Sequence, residues 1–563
     1  MKKCLVFLVL SLFVPAAKAI NFTVDGIYYY TIDDERVGVG VDYDVDTSTN
    51  PITITYHYYT GNLNIPSTVT YNEKTYKVTR VYLWGCSELT SISLPSTLEE
   101  IQEGGFADCS QLTQITLPES LKKIGGFAFQ SCNNIKEITI PASVQEIGQD
   151  AFTLSGIEKL VIKDLAAWCS VKKPGGFISS NNTKVFLNEE EIKDLVIPDG
   201  VTIIEPNTFN GFKSIETVTV PADVDSIGDD AFLGCTNITK VTAHDVASWC
   251  GIHFGNTMIL QTGTAIRLSN PVSISQNLYI GNERLTKLVI PEGVEEIGYS
   301  AFYRCLGITE VSLPSTLKKV GANAFADCTD IRIVNVTSLR DYCLIDFGNP
   351  GANPFQDYMM NGAFTWMLIN GDYLYDQGAL RIPEGLTEIK PSSFAKVDNN
   401  STVIIPASVS KIGSYAFYTS INRLYKVYIN GHISDMGEYA FGSCPYIGSL
   451  YVNDANPDSI PANAFYNNYV YNSVSGQTLS QDYNYKNTKL MVPVGSKVKY
   501  EATAGWKLFQ NIEEMDFSKV QGIKEDASGI KESYTLDGRQ ATPSAGVIII
   551  ERLSDGSTRK VLR

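Results

Sequence analysis

Histidine is scarce in this chain of 563 residues: only His57, His244, His253 and His432 occur, and none sits in a nucleophile signature such as Gly-x-Ser-x-Gly. No phosphate-binding loop and no Gly-x-Gly-x-x-Gly fingerprint appears, so the usual nucleotide sites are excluded. Cations are outnumbered, with 45 Lys and Arg against 61 Asp and Glu and a net charge of −16. That balance argues against nucleic acid as a partner. Apolar runs are short of the roughly 20 residues a spanning helix needs, so no integral membrane span is expected. With 44 Gly and 23 Pro, the chain is neither collagen-like nor mostly disordered.

The first nineteen residues have a different character. Lys2-Lys3, an apolar run from Leu5 to Val14 and Ala17-Lys18-Ala19 follow the basic, apolar and small-residue order of a secretory signal peptide, with cleavage expected after Ala19. The expectation is an exported mature chain, at the cell surface or secreted.

What the chain has in abundance is a repeat. Leu89, Leu112 and Ile135 recur in phase with Pro95, Pro118 and Pro141 and with Cys86, Cys109 and Cys132. A fixed period of this size means stacked coils. One unit reads Leu112-x-x-Ile115-x-Leu117-Pro118, then Ile124-Gly125, then Ala128-Phe129-x-x-Cys132, and the frame returns through Cys235, Cys305, Cys328, Phe417, Cys444 and Phe465. Ile115 and Leu117 alternate as a short strand, which Pro118 ends because it lacks the N–H of a continuing ladder. Gly125 suits a turn conformation that side chains with a Cβ resist. Phe129 and Cys132 fall on one face of a short turn, and no unit can bury that face alone.

This pattern resembles the BspA-like, or Treponema pallidum type, leucine-rich repeat of exported proteins in Bacteroidetes, spirochaetes and some mucosal protozoa. The resemblance covers residues 65–515 and implies a leucine-rich repeat solenoid, with one parallel strand per coil of about 23 residues and a short helical or irregular return. Some 14 or 15 coils about 4.8 Å apart would extend roughly 70 Å. A coarser repeat, Asp164 to Cys169, Asp245 to Cys250 and Leu339 to Cys343, marks inserts near 163–190, 244–284 and 338–375; similar inserts in relatives are read as a helix plus a hairpin. Asp341 is matched with Asp164 in that alignment.

The ends differ from the repeats. Val37 to Val45 and Ile52 to Tyr58 alternate strictly, predicting two half-buried strands in a β-rich N-terminal cap over 20–64. Repeats are expected over 65–466, a closing unit over 467–515 and a polar linker over 516–532. Residues 533–563, with Gly546-Val547-Ile548-Ile549 where relatives carry Gly-Ile-Tyr-Ile, resemble the small β module that Bacteroidetes attach to exported proteins, in some cases for type IX secretion. A plain hairpin turning at Asp555-Gly556 is the other reading.

Ten cysteines follow Cys4, and an even count in an exported chain first suggests disulfides. Their repeat phase favours a free, buried ladder instead, in a place where any small hydrophobe would serve. His244-Asp245-x4-Cys250-x2-His253 is the one stretch with metal-ligand character. Its sister segments around Cys169 and Cys343 lack both histidines, so no metal and no cofactor is expected. The acidic pairs Glu99-Glu100, Asp229-Asp230 and Glu295-Glu296 fall at solvent positions, where solubility explains them, and no catalytic residue is assigned.

Tyrosine is in excess, at 31 residues. Tyr56, Tyr58, Tyr59, Tyr469, Tyr471, Tyr483 and Tyr485 lie in clusters among Asn and Ser, giving rigid amphipathic contact area, although tyrosine also packs in capping strands. The expected function is recognition or adhesion without catalysis, through an extended surface that binds extracellular proteins, such as matrix or plasma proteins. The alternative is glycan capture by rows of exposed rings.

Overall fold

The computed structural model describes residues 21–519, except 50, 52, 177–182, 256–257, 262–263, 268, 356–364, 374–378, 398–401, 419–423, 445, 468–470, 473–476 and 479, together with three later strands. Residues 1–19, expected to be a signal peptide, lie outside the described residues. The chain divides into two compact units: Met1–Glu216 with Gly228–Asn237, and Thr217–Ile227 with Ile238–Arg563.

One coil shows how the repeat folds. In strand Glu137–Ile140, Ile138 and Ile140 are buried, and the strand stops before Pro141. The chain reverses and makes a second strand of only two residues, Glu146–Ile147, which continues a parallel ladder from Glu100–Ile101 through Lys123–Ile124. Most coils thus carry two strands, where sequence alternation reveals one; two residues are too few for a period to register. The coil of Leu112 to Cys132 corrects the expectation of a strand at Ile115 and Leu117: it keeps only Lys123–Ile124 and a single bridge from Gln114 to Ser91.

The turn that follows corrects the reading of glycine. Gly125 and Gly148 do not occupy the left-handed region. A Cβ on Gly125 would lie 2.4 Å from the Glu103 amide nitrogen, and one on Gly148 2.2 Å from that of Gly126, so close approach between coils requires glycine there. The left-handed positions come later in the turn, at Phe127 and Ser131, Asp150 and Leu154, Ser300 and Arg304, and Asn323 and Asp327.

Inside the coils the phenylalanines stack, with Phe106–Phe129 and Phe129–Phe152 centroids 5.5 and 5.3 Å apart. Each such pair adds about 0.5–1.5 kcal/mol beyond area burial. Their amides form a ladder: Phe129 donates to the Ala151 carbonyl at 2.7 Å, and Phe106 to that of Ala128 at 2.7 Å. Thiols extend the pattern, since Cys132, Cys235, Cys328 and Cys444 each donate to a phenylalanine carbonyl one coil earlier, at 2.8–3.1 Å. Cysteine is therefore more than a small hydrophobe here; its S–H satisfies a buried acceptor.

Unit one opens with antiparallel strands Asn21–Val24, Ile27–Thr31 and Arg36–Val39. Lys74–Val81 joins Arg36–Val39 in parallel and passes the sheet on to the coil ladder. In unit two, Lys287–Val289, Glu310–Leu313 and Ile333–Val336 form one parallel run. A second run goes from Ala379–Arg381 through Thr402–Ile405, Leu424–Ile429, Ile447–Val452 and Lys489–Pro493 to Asn511–Met515. Phe465 is covered by Tyr485, Trp506 and Phe509. The strands Ile530–Thr535, Ile548–Leu553 and Thr558–Leu562 form an antiparallel sheet.

The inserts share one design. Helices Leu165–Ser170, Val246–Gly251 and Leu339–Cys343 are capped by Asp164, Asp245 and Ser338, each accepting an amide three residues on. The third cap is serine, so Asp341 is not the counterpart of Asp164; it lies inside the helix and accepts from Ser338 Oγ at 2.7 Å. Strands Lys184–Leu187, Leu278–Ile280 and Trp366–Ile369 then rejoin the parallel ladders. Each insert thereby adds a rung, giving a parallel β-solenoid of about 17 turns with little helix in place of 14 or 15.

The helices also mend the amide ladder. In the first coil after each insert, the carbonyl preceding the phenylalanine receives a side-chain donor. Trp168 Nε1 donates to Thr208 O at 3.0 Å, Trp249 Nε1 to Ala301 O at 2.8 Å and Tyr342 Oη to Ser393 O at 2.5 Å. Asn270 adds a bond to Ala301 O, and Asn353 one to Ser393 O. The first insert uses Lys173 in a related place: 2% exposed, it donates to Trp168 O and Val171 O at 3.1 and 2.9 Å. Burial pulls its pKa down to about 7.

Candidate functional site

The N-terminal alternation splits into two different strands. Val37 and Val39 are buried in the cap sheet, whereas Asp42–Asp46 leaves it and, among the described residues, pairs only with Thr53–His57. Lys74–Val81 already fills the place beside Arg36–Val39. The expectation of two half-buried strands is corrected accordingly: the second half of the alternation is an exposed hairpin.

The hairpin has an apolar and a polar face. Tyr43 opposes Tyr56 and Val45 opposes Ile54 on one side, while Asp42, Asp44, Asp46, Thr53, Thr55 and His57 share the other. Tyr43, Val45 and Ile54 are 46%, 49% and 37% exposed. The ring of Tyr43 lies 5.9 Å from Tyr56, and Tyr56 stacks on Tyr58 at 5.8 Å. Both Tyr56 and Tyr58 meet Trp84 edge-on, at 5.9 and 6.3 Å. Tyr58 also lies over Gly85, where a Cβ would sit 2.7 Å from the ring and φ is +77°. Tyr82 completes a five-ring surface, partly exposed, its phenol pKa raised by burial and by neighbouring Tyr56 and Tyr58. Burial raises the pKa of Tyr56 and Tyr58 as well.

The other sequence-predicted tyrosines divide by role. Tyr59 is a pin: its hydroxyl donates to Gly40 O at 3.0 Å and accepts from Tyr28 N at 2.9 Å, and burial raises its pKa to about 12. Tyr485 is 2% exposed and packs against Phe465 and Phe509, which leaves no ring face for a ligand. Tyr483 is half-buried at the start of helix Tyr483–Asn487. Tyr469 lies outside the described residues, and of Tyr471 only the backbone, in strand Tyr471–Asn472, is described. Sequence reasoning missed Tyr43, Tyr82 and Trp84. Tyr43 was legible from its position opposite Tyr56 in the alternation, but nothing local links Tyr82 or Trp84 to the hairpin. It also missed Tyr415, Tyr418 and Tyr439, whose rings meet at 5.2 and 5.4 Å.

The remaining chemistry is structural. All ten cysteines that follow Cys4 are free and buried. Cys250 points into the core while the side chain of His244 is 63% exposed and His253 lies on the surface, so the His244–His253 stretch does not converge. Among the described residues, no group of three or more His, Cys, Asp and Glu side chains could hold a metal ion. Glu99, Glu100, Glu295 and Glu296 pair with Lys122, Arg80, Lys318 and Lys319 at 2.7–3.2 Å, which ties neighbouring coils together. A shallow cavity of about 240 Å³ lies along strand ends at Val289, Ser312 and Asn335. No helix among the described residues is long and apolar enough to cross a membrane.

Coils with two parallel ladders, a phenylalanine stack and capped inserts define a leucine-rich repeat protein. The chain belongs to the family of the BspA type leucine rich repeat region, whose model matches residues 53–167, 179–258, 264–346 and 375–489. Among solved structures, a leucine rich cell surface protein from Faecalibacterium prausnitzii is 21% identical, with 72% of this chain and 95% of that one covered and a TM-score of 0.33. A leucine-rich repeat protein from Bacteroides ovatus is 19% identical, covering 77% and 94%, with a TM-score of 0.35. The T. pallidum leucine rich repeat protein is 22% identical over 40% of this chain and 80% of its own, with a TM-score of 0.23. No curated protein matches the chain. Repeat solenoids of this family are typically non-enzymatic and interact with proteins.

Proposed function

We propose that the chain is an exported, non-enzymatic recognition and adhesion protein that binds extracellular proteins through side chains presented on its coils. The observation that carries this reading is the five-ring surface of Tyr43, Tyr56, Tyr58, Tyr82 and Trp84. It stands exposed on a scaffold of stacked, buried coils. Exposed apolar surface of this kind marks interaction sites. Family membership supports the same role. In this reading residues 1–19 are a cleaved leader, 20–64 cap the repeats of 65–466, and 467–515 close them. A linker, 516–532, then leads to 533–563, which serve sorting or attachment.

Two experiments test the proposal. Protease applied to intact producing cells should remove the chain, and a chain protected until lysis would overturn export. Purified protein incubated with polysaccharides and peptides should leave them intact, and any turnover lost on unfolding would overturn the non-enzymatic reading.

A further inference from the structure

The ring surface sits in a part of the chain with no cation. No Lys or Arg occurs between Arg36 and Lys74, or between Arg80 and Lys122, and these two stretches hold all five rings. Their charged side chains are acidic apart from His57, which pairs with Asp44 at 2.8 Å. Further along, acids on one coil meet lysines on the next, as in Glu137–Lys159 and Glu296–Lys319. Asp42, Asp46, Glu88 and Asp108 have no ion pair among the described residues, and Glu103 acts on Lys123 only at a distance. Two of them lie close to the rings: Leu83 and Gly85 donate to the carbonyls of Gly105 and Ala107, at 2.5 and 2.8 Å, which sets the coil bearing Glu103 and Asp108 beside Tyr82 and Trp84.

The hairpin adds a backbone feature. Among the described residues, Asp42–Asp46 and Thr53–His57 pair only with each other, so each leaves an outer edge of N–H and C=O groups able to take an added strand. A two-stranded hairpin is marginal in water by itself, and covering its apolar face would stabilise it. A strand fits that edge; a sugar does not.

We propose that the apolar face of the hairpin, continued by Tyr82 and Trp84, is the docking site for an extended, basic segment of a partner polypeptide. Alternate residues of the segment cover Val45 and Ile54. Its intervening Lys or Arg side chains point to the other face of the hairpin, against Asp42 and Asp46, and Glu103 and Asp108 add to the acidic field that attracts the segment. The site rests on the recognition reading above and names the chemistry it selects.

The test uses the full chain and a 12-residue peptide of alternating Lys and Val, with a Glu and Val counterpart and cellohexaose for comparison. Saturable binding of the basic peptide alone is expected, weakening as salt rises. The double variant Tyr43→Ser/Tyr58→Ser retains every charge and removes two partly exposed rings, and its circular dichroism and cooperative unfolding, measured alongside, show that the chain remains folded. It should bind the basic peptide at least about tenfold more weakly, whereas Tyr415→Ser should bind as the native chain does. Equal binding by the double variant would reduce the attraction to diffuse charge and overturn the site. So would failure to bind the basic peptide, or tyrosine-dependent binding of cellohexaose. If the native chain and the double variant bind a matrix or plasma protein equally, this inference falls and the recognition reading stands.

Discussion

Leu154 occupies the left-handed region at φ +55° while 64% exposed. The equivalent positions hold Ser131, Gly234 and Asp327, residues that adopt this conformation more easily. Leu154→Gly should therefore raise the stability of the folded chain by about 1 kcal/mol, read by urea unfolding; a loss of that size would mean that leucine packing outweighs the backbone strain. Phe127, Tyr415 and Tyr439 sit in the companion left-handed position. At this scale the sequence was partly legible. Pro141 and Cys132 announced a strand end and a buried register. Gly125 does not take the turn conformation that the sequence suggests; the pressing neighbour is backbone one coil away, which local reasoning does not reach.

Lys173 gives the same scale a pH dependence. Its pKa is about 7 in the folded chain against an ordinary 10.5, so between those values the unfolded chain holds a proton that the folded chain lacks, and stability rises with pH. The cysteines act oppositely. Burial raises Cys132, Cys169, Cys250 and Cys305 to about 12, so unfolded thiols release protons above roughly pH 8.5 and stability falls there. Lys173 thus governs the window from pH 7 to about 8.5. Melting temperature measured across that window should rise in the native chain and stay flatter in Lys173→Met, whatever the variant's absolute stability. Parallel slopes would contradict the buried, neutral lysine.

At the scale of the element, the inserts are ladder repairs as much as spacers. Trp168, Trp249 and Tyr342 share an aromatic ring with a polar hydrogen, and each supplies the donor that a phenylalanine amide gives in an uninterrupted stack. Trp168→Phe keeps the ring and leaves Thr208 O without that donor, which should cost about 1–3 kcal/mol. Tyr342→Phe should cost less, because Asn353 still donates to Ser393 O at 2.7 Å. Chemical denaturation of the two variants checks the order, and equal costs would show that the ladder is not what the rings maintain. The sequence displayed these segments as a repeat. It did not display their purpose, because donor and acceptor are 40 to 52 residues apart. Its register slipped at Asp341, where a serine took over the cap.

At the scale of the whole molecule, the repeat period made the fold readable, since leucine, proline, glycine and cysteine recur in phase over most of the chain. The recognition surface was far less so. Composition pointed equally to Tyr56, which lies in the exposed ring cluster, and to Tyr485, which lies in the core. What separates them is whether another element covers the strand or helix that carries them. Alternation in Val37 to Val45 predicts a buried face; it does not tell that the second half of the face has no cover.

The most direct test of the account is titration of the native full chain, and of its heat-unfolded form, against matrix and plasma proteins. Saturable binding by the folded form alone is predicted, because the ring surface exists only when the cap and the first coils are assembled. Equal binding by the unfolded chain, or none by the folded one, would contradict recognition by the folded surface.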